Sequence, residues 1–479
     1  MFITVPSIDW SAIGALLIMA GTGLVVLVEG MFVRSIRVSM VTAIAGLGAA
    51  AVYSIAQRGA QISGFGGMIL IDNLSLLFYI IILAGAFLSV LLLNEFVESH
   101  PEIHGEVLAL FCFSVFGMML MASAGDLVIV FLGIEIVSIS LYILAGIRRS
   151  NPYSLEAAFK YFLIGAFASG FLLFGIAYIF GATGSTNFER ILSFITNSPD
   201  GPSTFLYIGV FFLLVGFGFK IAVVPFHMWV PDVYEGSPTP IVAFMSTGVK
   251  AAGFAVLIRV FLHILGGYFI EWRNILWVLS VLTMTTGNLI ALVQDNIKRM
   301  LAYSSIAHAG YMLVGFTAGS PEGISSVVYY VAAYTVMNIG AFGIISYFES
   351  EEKGLYTISE YSGLRYSRPW LAAGMALFLF ALAGIPPTAG FFAKFYVFRA
   401  AVNSNLTGLA VIGALNAVLS VYYYLRVIIY MYMRPAEKDF SDYTFRMSDS
   451  ITLVICAVIV LIFGLFPSLF LGIAEISVF

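Results

Sequence analysis

GFGFKIAVVPFHMWVPD (216–232) and ALAGIPPTAGFFAKF (381–395) are the two stretches whose reading decides the fold. Each sets prolines inside an apolar run: Pro225 and Pro231 after Lys220, and Pro386 and Pro387 between Gly384 and Gly390, ahead of Lys394. A proline within a helix removes a backbone donor and clashes with the preceding turn. In a bilayer the carbonyls so freed need partners from protein or water. Broken helices placed in corresponding positions of two halves of a chain are the sequence mark of a transport site. Each break here lies within about a dozen residues of a lysine.

The rest of the chain fits that reading outward from the breaks. Fourteen apolar segments lie near 10–33, 38–57, 69–93, 107–123, 125–147, 156–181, 204–233, 238–265, 274–293, 299–319, 324–348, 370–403, 405–431 and 449–475. Hydrophobic residues make up 61% of the 479 and charged residues 10%, against about 25% charged in soluble domains. Continuous runs of about 20 residues exclude a membrane barrel, whose strands are roughly 10 residues long and alternate. The expected fold is therefore all-α and polytopic, with about 14 transmembrane helices. Residues 107–265 and 274–431 each hold five segments with the broken one fourth. Five is odd, so the second unit enters the membrane from the opposite side, giving two inverted repeats. Residues 1–106 form an N-terminal three-helix segment and 449–479 a C-terminal helix. The first apolar run, from about Trp10 to Val33, is long enough to remain a span rather than a cleaved signal peptide.

Lysine and arginine in the loops orient the chain. With the N-terminus outside, inner loops hold Arg34, Arg37, Arg148, Arg149, Lys298, Arg299, Lys353, Arg365, Arg368, Arg434, Lys438 and Arg446, and outer loops only Arg58, Arg190 and Arg273. Both termini are then outside. The inner loop Asn94–Glu106 dissents, with Glu95, Glu98, Glu102 and Glu106 and no cation; an acidic face there suits contact with another subunit. A net charge of −4 gives no reason to expect nucleic acid. The cysteines, Cys112 and Cys456, are far apart in sequence, and His100, His104, His227, His263 and His308 are scattered. That pattern offers neither an iron–sulfur nor a zinc site.

Five charges stand inside the apolar runs: Glu135, Lys160, Lys220, Lys250 and Lys394. A charge at the bilayer centre costs roughly 2.5–3.5 kcal/mol on insertion scales, so such groups pair, face a wet cavity or move ions. Glu135 either pins helices through a lysine or pairs with Lys220 and sets its proton affinity. Burial disfavours an ammonium and a near carboxylate favours it, so a moving carboxylate would switch the lysine between holding and releasing a proton. Lys220 and Lys394 adjoin the two breaks and mirror each other. Lys250 is mid-span, with Ser246 and Thr247 nearby. For Lys160, four residues after Glu156, a surface pair one helical turn apart is an equal alternative. His308, with Ser304, Ser305 and Tyr311 close by, reads either as a core histidine or as a relay. His227 is expected to cap freed backbone groups and His263 to be structural. Arg259, Arg399 and Arg426 are expected to snorkel from helix ends, and Asp72 and Asp126 to cap helices. The run Tyr422–Tyr424 reads as helix packing ahead of a quinone site.

PFHMWVPDVYEGSPTPIVAFMSTGVKAA (225–252), GIPPTAGFFAKF (384–395), EAAFKYFLIGAFASGFLLFG (156–175) and RMLAYSSIAHAGYMLVG (299–315) closely resemble the N-type antiporter-like subunit of respiratory complex I, of the NADH-quinone oxidoreductase family. Wider relatives are the antiporter-like subunits of related hydrogenases and of multisubunit cation/proton antiporters. The resemblance runs from roughly residue 70 to 430. The L-type member extends into a long lateral helix, which this chain is expected to lack, and the M-type places a glutamate where this chain has Lys394. By resemblance, Glu135 matches the charged residue of the fifth span, Lys160 a lysine of the sixth, and Lys220 the pumping lysine of the first broken helix. Lys250 matches the central-axis lysine, His308 falls on the same axis, and Lys394 is the lysine of the second broken helix.

The resemblance implies a proton-translocating, non-redox subunit of an enzyme that passes electrons from NADH, ferredoxin or an F420-type donor to a quinone. Quinone, NADH, flavin and iron–sulfur clusters are expected in partner subunits, with no cofactor or metal in this chain. The expected partners are M/L-type and small K/J/A-type membrane subunits and the lipid bilayer, in a prokaryotic inner (cytoplasmic) membrane. The alternative is a subunit of a multisubunit sodium/proton antiporter or a membrane-bound hydrogenase, which broken helices and buried lysines suit equally.

Overall fold

The computed structural model describes residues 9–33, 35–98, 100, 105–197, 203–349, 356–436, 440 and 447–478. Arg34, Glu102, His104, Lys353, Lys438 and Arg446 lie outside them. The chain opens with α1 (Trp10–Phe32), α2 (Ile36–Ala56), a hairpin of β1 (Ile62–Gly64) and β2 (Ile69–Ile71), and α3 (Asn73–Glu98). The first unit comprises α4 (Glu106–Ala122), α5 (Leu127–Ala145), α6 (Pro152–Thr183), α7 (Phe188–Asn197), α8 (Thr204–Ile221), α9 (Trp229–Gly236) and α10 (Thr239–Leu257). The second comprises α11 (Phe269–Leu292), α12 (Ile297–Ala318), α13 (Pro321–Glu349), α14 (Leu364–Ser367), α15 (Pro369–Ala383), α16 (Ala389–Asn403) and α17 (Thr407–Met433). Helices α18 (Met447–Leu465) and α19 (Pro467–Val478) close the chain.

The two units share one packing scheme. The first long helix lies on the second (α4 on α5, α11 on α12). The third lies along both halves of the broken helix: α6 against α8 and α9, α13 against α15 and α16. The last returns to the first, α10 on α4 and α17 on α11. Local sequence sets the ends. Asn151 caps α6 by accepting from the Tyr153 N–H at 2.9 Å, with Pro152 in the first turn, where its missing donor costs nothing. Asn296 caps α12 by accepting from Lys298 and Arg299 N–H. Asp126 caps α5, and Asp72 and Ser75 bond reciprocally at the start of α3, as expected of both aspartates.

Helices α10 and α13 are buried on every side, and α12 nearly so, so they form the core of the molecule. Among the described residues eleven helices are individually long and apolar enough to cross a membrane. The half-helix α8 is among them, whereas the half-helices α9, α15 and α16, and α4 with 17 residues, are shorter.

Three boundaries differ from expectation. The run starting at 69 begins as strand β2, whose Leu70 N–H donates to the Ser123 carbonyl, and the helix starts only at Asn73. The last run is divided at Pro467 into α18 and α19, because proline cannot continue the hydrogen-bond ladder. The end of α10 widens into a π-helical turn over Ile258–Ile264. Arg259 in that turn does not snorkel. It is 5% exposed, donates from Nε to the Ala122 carbonyl at 2.8 Å and pairs with Asp72 at 2.7 Å.

Candidate functional site: a buried polar axis between two helix breaks

At the first break α8 ends in Ala222, whose φ of 64° is left-handed. The Val223 N–H takes the Gly218 carbonyl and the Trp229 indole takes that of Phe219 at 3.1 Å. That is the task expected of the His227 ring. The Val224 N–H crosses to Thr283 Oγ1 on α11. The Val224–Pro225 peptide is cis. Lys220, in the last turn of α8, is 4% exposed and donates to Ser138 Oγ on α5 at 2.5 Å. Ser138 in turn donates to the Ile134 carbonyl. Glu135 does not bond to the ammonium. It stands one turn from Ser138, half-buried, and accepts from Ser169 Oγ on α6. The direct pair read from sequence is thus replaced by a serine, with the carboxylate one turn behind it.

At the second break α15 ends in Gly384, again left-handed at φ 86°, and the Pro386–Pro387 peptide is cis. The Ile385 N–H takes the Phe380 carbonyl. Lys394, on α16 and 5% exposed, reaches back over the break to donate to the Ala383 carbonyl at 2.8 Å, with Ser420 Oγ at 3.4 Å. Its ammonium stands 5.0 Å from the centre of the Tyr311 ring. A Cβ at Gly384 would come within 2.9 Å of Lys394 Cδ, so the glycine supplies both the turn and the room for the lysine. Lys220 precedes its break and Lys394 follows its own, as the order of prolines and lysines in the sequence has it.

Between the breaks runs a polar axis on the core helices. Lys250 on α10, 2% exposed, donates to the carbonyl and Oγ of Ser305 on α12, and Tyr334 OH on α13 donates to the same Oγ at 2.8 Å. His308, one turn on along α12, bonds Tyr330 OH through Nδ1 at 2.8 Å and Tyr424 OH through Nε2 at 3.1 Å. Tyr424 also bonds Ser304 Oγ, and beside it Tyr423 donates to Asn288, which donates to Tyr311 OH. Tyr311 carries the axis to Lys394. Among the described residues no carboxylate lies within ion-pair distance of Lys220, Lys250 or Lys394.

Lys160 sits apart, at 39% side-chain exposure. It pairs with Glu156 and with Asp232 of α9, each at 2.6 Å. Asp232 continues to Arg299, and Arg299 to Glu235. The surface pair one helical turn apart is therefore present, as one link in a longer charge chain. Beyond it lies a cluster whose cations sequence reading placed in loops. Glu349, at the end of α13, pairs with Arg148 at 3.1 Å and Lys298 at 3.3 Å and accepts from the Thr239 N–H at the head of α10. The Lys298 side chain is fully buried, and a cleft of about 430 Å³ touches Arg148, Glu235, Asn296 and Glu349. Removing one partner of such a buried ion pair costs roughly 3–5 kcal/mol, so the cluster ties α10, α12 and α13 together below Lys250.

This arrangement agrees with the comparisons to known proteins. The sequence profile described as NADH:quinone oxidoreductase/Mrp antiporter, transmembrane, matches residues 124–420. The chain belongs to this NADH:quinone oxidoreductase/Mrp antiporter family. A NADH-quinone oxidoreductase subunit N of Trichlorobacter lovleyi is 50% identical over 88% of this chain and 86% of its own length. A subunit N 1 of Herpetosiphon aurantiacus is 40% identical over 99% and 97%. A chain of Thermus thermophilus respiratory complex I, solved with bound aureothin, superposes with a TM-score of 0.82 at 32% identity, over 96% of this chain and 99% of that one. Within this antiporter family member the matched region spans both breaks and every lysine of the axis.

Ser138, Ser420 and Tyr334 were missed, Tyr424 was read as packing, and Ser305 and Tyr311 were noticed only as neighbours of His308. A signal exists. Tyr330, Tyr334 and Asn338 recur every fourth residue on α13, and Ser304, Ser305, His308 and Tyr311 share a face of α12. Such spacing draws a polar stripe along helices that are otherwise apolar.

Proposed function

We propose that this chain is the N-type proton-translocating membrane-arm subunit of a redox-driven NADH:quinone oxidoreductase, moving protons along Glu135, Lys220, Lys250, His308 and Lys394, with Lys160 at the surface. One observation carries the reading. Three buried lysines, on α8, α10 and α16, have hydroxyl and carbonyl oxygens as their only hydrogen-bond partners among the described residues. A buried ammonium held by neutral acceptors has no fixed counter-ion to lock its proton. Each proton driven against 100 mV needs about 2.3 kcal/mol, and a lysine whose affinity changes by two pH units between states supplies about 2.7 kcal/mol. One such switch per proton is the right size.

In this reading the chain crosses the membrane fourteen times with both termini outside, and residues 107–265 and 274–431 are the two inverted half-channels. Residues 1–106 and 449–479 flank them. Flavin, iron–sulfur clusters and the NADH and quinone sites belong to partner subunits, and this chain performs no electron transfer. M/L-type and small K/J/A-type subunits neighbour it in a prokaryotic cytoplasmic membrane. The relatives' name and the loop charges support these assignments.

The test is Lys220→Ala in the complex isolated through a tag on this chain. Proton pumping into inside-out vesicles should fall several-fold at unchanged assembly, while the companion subunits are identified by mass spectrometry. Full pumping by the variant overturns the reading. Companions limited to small antiporter subunits would move it to a cation/proton exchanger.

A further inference from the structure

We propose that the groove between α15 and α18 is a binding site for one acyl chain of an anionic phospholipid. The groove holds about 510 Å³ and is lined by Trp370, Gly374 and Leu377 of α15 and Ser450, Leu453 and Ala457 of α18. Ile344 of α13 lies at its floor, where a Cβ on Gly374 would just touch it at 3.4 Å. Glycine and alanine thus open a slot down to the core helix.

The lining runs over nine residues of α15, Trp370–Phe378, and eight of α18, Ser450–Ala457. That is a height of roughly 11 Å at 1.5 Å per residue, and a slot of this size admits a single hydrocarbon chain.

The charge at its mouth selects the headgroup. Trp370 is 88% exposed at the end where α15 and α18 both begin, the placement of an interfacial tryptophan. Arg365, five residues before it, is exposed, with its guanidinium over Tyr366. Arg434, at the end of α17, is exposed and stands over Tyr430. The two arginines lie on adjoining segments, two residues after Gly363 and four after Tyr430, whose N–H and carbonyl bond at 3.1 Å. Among the described residues neither makes an ion pair. Two exposed cations beside a membrane-facing slot attract a phosphate-bearing anionic headgroup. This site needs only that the chain spans a membrane and is independent of the proton path.

The test uses the intact complex in vesicles of mixed phosphatidylglycerol and phosphatidylcholine. Each vesicle carries a trace of one lipid with a photoreactive diazirine in its acyl chain, and labelled peptides are mapped after illumination. Residues 370–377 and 450–457 should be labelled about fivefold more by the phosphatidylglycerol probe, the preference one arginine gives near an anionic surface. The exposed face of α6, at Phe159, Phe167 and Phe174, should take both probes equally. Gly374→Phe should abolish groove labelling and leave that of α6 intact. Arg365→Gln with Arg434→Gln should reduce the anionic probe to the level of the neutral one. Equal labelling of the wild-type groove by both probes overturns the proposal. So does an unlabelled groove beside a labelled α6, which would mean that a neighbouring subunit covers it. The wild-type comparison decides the matter even where Gly374→Phe fails to assemble.

Discussion

Lys220 and Lys394 both stand at a helix break, yet their surroundings differ in kind. Lys220 lies ahead of its break and is held by a side-chain hydroxyl on another helix, Ser138, with Glu135 one turn behind. Lys394 lies beyond its break and is held by a backbone carbonyl, Ala383, under the ring of Tyr311. The first set is built from side chains that rotate, and it includes a carboxylate able to approach or withdraw. The second is built from backbone and packing, and the missing Cβ of the glycine at its turn leaves the room that the lysine's own methylenes need. We therefore expect the first break to be tuned electrostatically and the second to hold a fixed geometry. If the repeats work in sequence, the tunable site is where a neighbour's charge would act.

The largest expected effect tests the rigidity of the second break. A Cβ at Gly390 would fall 1.8 Å from the Ala381 carbonyl oxygen, a backbone atom of the facing half-helix. A Cβ at Gly218, near the first break, would meet only the Phe226 ring at 2.9 Å. Rings rotate, whereas a packed backbone moves only by separating the half-helices, and overpacking of that kind costs roughly 1–3 kcal/mol or more. Gly390→Ala should lower the amount of assembled complex on native gels several-fold, and Gly218→Ala should leave it nearly unchanged. Equal loss in both would remove the contrast in rigidity.

Much of this contrast was beyond reach of the sequence, for physical reasons. Charges in apolar runs are conspicuous because each is costly, so Lys220, Lys250, Lys394 and Glu135 stood out, and the prolines marked both breaks. Hydroxyls are cheap in an apolar helix, since a serine or threonine there bonds its own preceding turn, as Thr247 does to Ala243. Ser138 and Ser420 consequently passed unnoticed, and Ser305 drew notice only through His308. Arg148 and Lys298 were read as loop charges because they lie near segment ends, and only tertiary packing brings them to Glu349 under α10. The side of the break on which each lysine falls was written in the sequence. What it meant depended on Lys394 reaching back over Gly384, which no spacing rule contains.

The next effect concerns Glu135, which among the described residues has no counterpart at the second break. Glu135→Gln keeps an oxygen for the Ser169 hydroxyl and removes the charge. Pumping by inside-out vesicles should fall several-fold relative to NADH oxidation, and the loss should persist across ionic strength because the group is half-buried. If the carboxylate acts through Lys220, the double variant with Lys220→Ala should pump no less than Lys220→Ala alone, since coupled residues are not additive. A further drop in the double variant would show Glu135 acting elsewhere, and the first break would lose its claim to be the tunable one.

The smallest effects separate the two lysines by their hydroxyl partners. Ser138 Oγ lies 2.5 Å from the Lys220 ammonium and is its one hydrogen-bond acceptor among the described residues. Ser420 Oγ lies 3.4 Å from that of Lys394, at the edge of hydrogen-bond range, and the Ala383 carbonyl remains when it is removed. A buried donor left without a partner costs about 1–3 kcal/mol, more when charged. Ser138→Ala should therefore lower coupled turnover measurably, with Ser138→Thr restoring it through the same hydroxyl. Ser420→Ala should stay close to wild type. The reverse order, with Ser420→Ala the more damaging, would mean that the Ala383 carbonyl does not hold Lys394 during turnover. The second break would then have to be counted as side-chain gated like the first.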